Sequence, residues 1–296
     1  MQNHPLVSII CTCYNHEKYV IEALDSIIQQ TYPNIETIII DDASSDNSVE
    51  IIENWVKKNK SSSFIKNEIN LGSTKTFNKA VKTAKGEYLV DFAADDLLSP
   101  TFIEKVIEKF KNSEFKNLGL VYSNVENINE NGTHLSFYFN IDKNLQTIEK
   151  RKVGDAFSFI IDSGKTICSP SAIFKRDVFN KLNGYDESLM YEDLDFWIRL
   201  AREYEIDFVD AILVKKRNVF NSLGTAFFNT KKAKKMNYST YLILVKTTFL
   251  CKSKTELKTL LKRVHYEIVL NFKVKNFALI FKLVLLKLKI HLKTMK

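Results

Sequence analysis

A chain of 296 residues, 45% hydrophobic and 26% charged, is long enough for one large domain or a domain with an appendage, and its composition is that of an ordinary globular protein. Its net charge of +8 is unevenly spread: residues 229–296 carry 17 Lys or Arg against Glu256 and Glu267 (+15), whereas residues 1–228 carry 26 basic and 33 acidic residues (−7). An acidic body speaks against bulk nucleic-acid binding, and no run reaches the roughly 18 apolar residues of a spanning helix.

The N-terminal "MQNHPLVSII" lacks the basic start and long apolar stretch of a secretory signal. Cys11, Cys13, Cys168 and Cys251 show no paired metal-ligand spacing, so they read as reduced thiols of a cytoplasmic protein. From there strand and helix patterns alternate. "LVSIICTC" is a continuous β-branched run, as expected of a strand buried on both faces. "YVIEALDSIIQQTYP" has helical spacing and stops before Pro33. "ETIIIDD" reads as a second strand, "SVEIIENWVKKN" as a second helix and "SFIKN" as a short third strand. "STKTFNKAVKTAKG" reads as a helix ended by Gly86, "EYLVDFA" as a fourth strand, and Pro100 opens a helix over "TFIEKVIEKFK". This rhythm predicts an α/β fold, a mostly parallel sheet with helices on both faces. Ligands of such sheets bind beyond the carboxyl ends of the strands. Asp41, Asp42, Asp95 and Asp96 all lie at such ends.

Each acidic cluster has a plainer explanation. "DDASSDNS" contains the Asp and Ser types that cap helices, "ADDLLSP" would complement a helix dipole, and "YEDLDFWIRLA" reads as the acidic first turn of an amphipathic helix with Trp197 and Leu200 facing a core. Capping alone does not call for adjacent carboxylate pairs, and the clusters occur in order along one sheet.

The stretch "VSIICTCYNHEKYVIEALDSIIQQTYPNIETIIIDDASSDNSVEII" closely resembles the start of inverting family 2 glycosyltransferases, whose nucleotide-diphospho-sugar domain is of the GT-A type. The resemblance continues through "NLGSTKTFNKAVKTAKGEYLVDFAADDLLSP" and returns at "KLNGYDESLMYEDLDFWIRLA". It covers roughly residues 6–202 with a gap near 125–165 and implies a GT-A domain over about 1–225, with nucleotide-sugar binding in 1–100 and acceptor binding in 101–225; the basic amphipathic helical tail over 226–296 is read from charge and periodicity alone. Transfer from a nucleotide sugar leaves charge on a diphosphate, so a divalent cation held by carboxylates is a natural electrophile. Mg²⁺ or Mn²⁺ needs only one or two protein carboxylates besides phosphate oxygens and water. Asp95 and Asp96 are the expected metal ligands, although Ala93 stands where the family often has a further Asp.

The resemblance also places Thr12, Tyr14, Asp41, Asp42 and Asp95 around the nucleotide, with a carboxylate and an aromatic ring suited to uracil or thymine. Ala43 stands where the family has Gly, and "NLG" at 70–72 offers either backbone N–H groups to a diphosphate or a plain turn. In "YEDLDF", Asp193 is the expected general base and Glu192 a positioning group, while Asp195 points elsewhere on the helix. The Gln-x-x-Arg-Trp motif of polymer-extending relatives is absent, which favours transfer of a single sugar to a saccharide or lipid-linked acceptor. The alternative is a relative that binds sugar nucleotides without catalysis. A nucleotidyltransferase would show a glycine-rich signature after the first strand, and "CTCYNHEKYV" has no glycine.

In the tail, "KNFALIFKLVLLKLKIHLK" sets Lys275, Lys282, Lys289 and Lys293 on one stripe, with Phe277, Phe281, Val284, Leu285 and Leu288 over the rest. A basic amphipathic helix of this kind suits an anionic membrane surface at its cytoplasmic face. Packing on the body or on a second subunit, as in a homo-oligomer, is the competing expectation.

Overall fold

The computed structural model describes residues 4–162, 166–219 and 230–295. It begins with the expected alternation of β1 (Val7–Cys13), α1 (Val20–Ile28), β2 (Ile35–Asp41), α2 (Ser48–Lys58), β3 (Ser62–Lys66), α3 (Ser73–Val81) and β4 (Tyr88–Ala93). Next come β5 (Leu97–Leu98), α4 (Phe102–Asn112), β6 (Leu118–Ile128), β7 (His134–Phe137) and α5 (Phe157–Asp162). A 3₁₀ turn (Ser169–Ser171), β8 (Ala172–Lys175), α6 (Arg176–Lys181), α7 (Glu192–Glu203) and β9 (Glu205–Arg217) follow. Three long helices come last, α8 (Thr230–Leu250), α9 (Lys254–Lys273) and α10 (Phe277–Met295).

The strands form one sheet in the order β3-β2-β1-β4-β8-β6-β9-β5, with β7 paired to β6. Strands β3, β2, β1 and β4 run parallel, β8 is antiparallel to both β4 and β6, and β6–β9 is again a parallel pair. Val7, Ile9, Ile10 and Cys11 of β1 are all fully buried, because successive side chains point to opposite faces and both faces are covered. From β1 the chain steps outward to β2 and β3, then returns through α3 to set β4 on the other side of β1. That reversal makes the carboxyl ends of β1 and β4 the place where a ligand fits between diverging loops.

Two helix ends differ from the periodicity. α1 stops at Ile28 rather than near Pro33, because Gln30 Nε2 donates to the carbonyls of Ser26 and Ser99 and its Oε1 accepts the Ile103 N–H. α3 stops at Val81, and Gly86 serves a different purpose from ending it. A Cβ at Gly86 would collide with Ser8 on β1, so glycine is required there for close approach of two backbones.

The chain divides into two compact units. The first comprises Met1–Gly154, Ile167–Tyr185 and Tyr204–Val219 and holds the nine strands found among the described residues. The second comprises Asp155–Thr166, Asp186–Glu203 and Phe220–Lys296. The sequence places a boundary near residue 225, whereas α5 and α7 group with the C-terminal helices. Their side chains find partners there: the Arg202 guanidinium lies 4.1 Å from the Phe157 ring centroid and donates 2.8 Å to Glu256, and Ser239 Oγ accepts the Met190 N–H at 3.0 Å.

Asp195 on α7 is the charged pivot of the second unit. It is 2% exposed and takes Arg199 Nε at 2.7 Å and Lys246 Nζ at 2.6 Å, and Lys246 also reaches Asp186 at 2.8 Å. Burial alone would raise the Asp186 carboxyl, but Lys246 and Ser188 outweigh it and hold the group at about 2. A depressed carboxyl stabilises the fold above its unfolded value of 3.8, and that contribution is lost as the pH falls towards 2. Lys246→Met should therefore cost about 1–3 kcal/mol near neutral pH, since Asp195 stays buried with one cation fewer, a loss moderated by the exposure of Lys246. Denaturant unfolding reads the loss, and the variant should lose less than the parent on acidification below 3.8.

In α10 the residues Leu279, Leu283, Leu286 and Ile290 are buried, each burial stabilising by roughly 1.5–3 kcal/mol. Lys275 does not belong to this helix. It sits in the turn before it with φ 53°, so the expected four-lysine stripe is reduced to Lys282, Lys289 and Lys293. Those three lie against aromatic rings of α8: Lys282 at 4.9 Å from the Tyr238 centroid, and Lys289 and Lys293 at 5.4 and 5.0 Å from that of Phe249.

Candidate active site

The loops after β1 and β2 are laced together. Asn15 N–H donates to Ser44 Oγ, His16 N–H to Ser48 Oγ and Glu17 N–H to Asp46, while Asn15 Oδ1 and Glu17 Oε2 accept the N–H groups of Ser45 and Asn47. The Ser and Asp residues of "DDASSDNS" therefore bind the neighbouring loop as much as they cap α2; only Asp46 also takes the Ser48 N–H. Asn15 and Ala43 have φ of 57° and 61°. Asn tolerates that left-handed region, whereas Ala pays a steric cost of roughly 1 kcal/mol, which is why glycine suits position 43.

This lacing fixes the end of β1. Thr12 pairs in register with Ala93 of β4, its hydroxyl pointing to the Phe92 carbonyl at 3.4 Å, and Ala94 N–H donates to the Thr12 carbonyl at 2.9 Å. Tyr14, two residues on, is 46% exposed and presents a ring at the mouth of the sheet. Asp41 closes β2 with both oxygens on Ser44, accepting its N–H at 2.8 Å and its hydroxyl at 2.5 Å.

Asp42 is 4% exposed and organises the next loop. Its Oδ1 accepts Asn67 Nδ2, the Thr76 hydroxyl and the Leu71 N–H at 2.7–2.8 Å, and its Oδ2 accepts the Gly72 N–H at 2.8 Å. The Leu71 and Gly72 N–H groups, which "NLG" offers to a diphosphate, are thus bound to a carboxylate. Of the two readings of that tripeptide the turn is the one observed, with Gly72 at φ 86°.

Asp95 and Asp96 follow β4 directly, and both are buried. Burial and the neighbouring Asp95 charge push the Asp96 carboxyl well above its ordinary value, with Lys216 and the Arg217 N–H opposing them. Asp96 Oδ1 accepts that N–H at 2.8 Å. The Arg217 side chain, 4% exposed, spans the site from behind. Its Nε donates to the Asp95 carbonyl at 3.0 Å, Nη1 to the Glu130 carbonyl at 2.8 Å and Nη2 to Glu22 at 2.7 Å, with its guanidinium 4.8 Å from the Tyr19 centroid. His16 is the other newcomer: Nε2 lies 3.8 Å from Asp95 Oδ2, and the buried Nδ1 has no hydrogen-bond partner among the described residues. Nothing local in the sequence marks Arg217. His16 is marked only by its position in "CTCYNHEKYV". Arg217→Met should leave the Asp95 and Glu130 carbonyls and the Glu22 carboxylate without their donor, at a cost of roughly 3 kcal/mol read by thermal unfolding.

Among the described residues no group of three or more His, Cys, Asp or Glu is arranged to hold a metal. Two buried, mutually repelling carboxylates with His16 Nε2 beside Asp95 nonetheless fit a hard cation that takes its other ligands from a substrate and water. Thr12, Tyr14, Asp41, Asp42, Asp95 and Asp96 are brought to one end of the sheet in the first unit. Glu192 and Asp193 belong to the second unit, in the first turn of α7, both partly exposed, with Asp193 Oδ1 accepting the Leu194 N–H at 2.7 Å.

Residues 8–182 match the family model for glycosyl transferase family 2. An uncharacterised glycosyltransferase of Methanocaldococcus jannaschii is 36% identical over 217 residues, covering 72% of this chain and 71% of that protein. Against several further relatives the chain spans only 33% to 64% of their length. Two solved structures share the fold at low identity. S. aureus TarS (residues 1–349) in complex with UDP has a TM-score of 0.65 at 19% identity, over 88% of this chain and 70% of that one. The mannosyltransferase PcManGT of Pyrobaculum calidifontis, in complex with GDP-Man and Mn²⁺, has a TM-score of 0.63 at 18% identity, over 96% and 74%.

Proposed function

The chain belongs to glycosyl transferase family 2 and has its GT-A fold, and from that premise we propose that it transfers a single sugar from a UDP-sugar to a saccharide or lipid-linked saccharide acceptor, with inversion. The observation that carries this reading is the buried Asp95–Asp96 pair at the carboxyl end of β4, beside β1 where the strand order reverses. UDP in TarS and Mn²⁺ with GDP-Man in PcManGT support a nucleotide-sugar donor and a divalent cation, Mg²⁺ or Mn²⁺.

Each residue then has a role. Tyr14 offers its exposed ring for stacking on the base, with Thr12 and Asp41 beside it and Asp42 holding the 71–72 turn and facing a ring N–H. Asp95 also borders the nucleotide, and Asp95 and Asp96 would hold the cation. When bound, that ion offsets the charge developing on the departing diphosphate. Asp193 removes the proton of the attacking acceptor hydroxyl, so that the hydroxyl oxygen forms the new bond at the anomeric carbon as the diphosphate leaves from the opposite side. Glu192 positions the acceptor or the base. Both of these assignments rest on the "YED" motif at the start of α7.

The test is a panel of UDP- and GDP-sugars incubated with the protein and Mn²⁺ or Mg²⁺, with and without chelator and saccharide acceptors. Chelator-sensitive release of the nucleoside diphosphate, with a new glycoside of inverted anomeric configuration, is the expected result. Binding without turnover under all conditions would point to the non-catalytic relative, for which Ala93 speaks. Absence of any nucleotide binding would overturn the reading.

A further inference from the structure

On α10 the apolar residues form two opposite faces rather than one. At about 100° per residue, the buried Leu279, Leu283, Leu286 and Ile290 share one side. Phe277, Phe281, Val284, Leu285, Leu288 and Leu292 lie on the other, and all six are exposed, Phe281 by 67% and Leu288 by 56%. Phe272 of α9, also exposed, extends this second face across the turn, its ring centroid 6.0 Å from that of Phe277. Six large apolar side chains in a row on a solvent-facing side have no use in the packing of this unit. Isolated exposed hydrophobes are ordinary, but a contiguous strip marks an interaction surface.

The charges around the strip identify what covers it. α10 contains four lysines and no acid, and residues 229–296 balance at +15. Lys282, Lys289 and Lys293 border the strip along one edge and Lys287 along the other. At the Ala278–Lys282 border a cavity of about 470 Å³ opens, lined by Lys234, Lys235 and Lys282 with Met190, Leu242 and Leu279. No acid lines it. A two-fold contact with another copy would set the same basic patch against itself, bringing like charges together around the apolar seam. An anionic bilayer satisfies both features at once: the apolar strip enters the acyl boundary while the lysines meet phosphates. Among the described residues no helix is long and apolar enough to cross a membrane, so the contact is with the surface.

We propose that α10 is an in-plane membrane anchor, with Phe277, Phe281, Val284, Leu285, Leu288 and Leu292 immersed in an anionic leaflet and the lysine-lined cavity receiving a lipid phosphate. The lysine stripe read from the sequence thus forms the edge of the docking face, and the apolar residues opposite the packed side form its centre. The surface requires neither nucleotide nor sugar, so its test is independent of the catalytic reading.

The full chain is sedimented with vesicles of phosphatidylcholine alone and of phosphatidylcholine with phosphatidylglycerol, at low and high salt, and its mass in solution is measured by light scattering. Binding is expected only to the anionic vesicles and should weaken as salt rises. Phe281→Asp with Leu288→Asp should abolish it. Lys234→Glu, Lys235→Glu and Lys282→Glu together should weaken it by at least about 10-fold. All these side chains border solvent, and unchanged circular dichroism and thermal unfolding of both variants would confirm an intact fold. Three results would each overturn the proposal: failure to bind either vesicle, equal binding to both with no effect of the lysine changes, or a solution dimer that Phe281→Asp with Leu288→Asp dissolves.

Discussion

Asp96→Asn is expected to lower sugar transfer by at least about 10²–10³-fold while making the chelator-treated protein more resistant to heat, and Asp95→Asn should lower transfer similarly. The loss of activity follows from removing half of the charge that a divalent ion needs beside a departing diphosphate. The gain in stability follows from the cost of the carboxylate itself. Asp96 is 3% exposed and next to Asp95, so its carboxyl is pushed well above 3.8 by burial and then by that neighbour. The folded chain therefore holds this proton more tightly than the unfolded one, and stability falls as the pH rises from 3.8 through the folded value. An amide removes that cost and keeps an Oδ1 acceptor for the Arg217 N–H. Mn²⁺ should raise the unfolding temperature of the parent and have little effect on the variant. Undiminished transfer by the double variant Asp95→Asn with Asp96→Asn, resistant to chelator, would show that the pair holds no catalytic ion.

Asp193→Asn should lower transfer by roughly 10²–10⁴-fold, the usual cost of losing a general base, with donor affinity and unfolding temperature unchanged. The neighbouring acid provides the internal contrast. Asp195, two residues along the same helix, is buried between Arg199 and Lys246, and replacing it by Ala removes the one carboxylate that both cations share. That change should appear first as lost stability, by about 1–3 kcal/mol, because the cations left behind are partly exposed. Asp193 is thus separated from Asp195 by which measurement moves. If Glu192→Gln abolishes transfer while Asp193→Asn turns over normally, the two roles are exchanged.

The parallel half of the sheet was legible because β1, β2 and β4 are apolar runs bounded by turn residues, and both faces of a covered strand must be apolar. Strands β5 to β9 were not assigned. Antiparallel β8, four residues long, owes its place to its partners β4 and β6 rather than to any local pattern. The acidic clusters were legible as chemistry: acids at the carboxyl ends of parallel strands are where ligands bind. Their division of labour was not. Asp41 and Asp42 are adjacent and alike in sequence, yet Asp41 is tied to Ser44, three residues away, and Asp42 to residues 67–76, which the chain reversal brings over it.

By itself the sequence determined the α/β alternation, the family, the position of the paired acids and the basic character of the C-terminal helices. Those properties depend on side-chain type at fixed spacing, and spacing along a chain is read directly. Only the tertiary structure decided that the Arg217 N–H and guanidinium brace the Asp95–Asp96 turn from a strand more than 120 residues away. It also decided which of two apolar faces of α10 is packed. Helical periodicity sets Leu283 and Phe281 on opposite sides of α10 without saying which side meets a neighbour, because burial is a property of what the rest of the chain leaves uncovered.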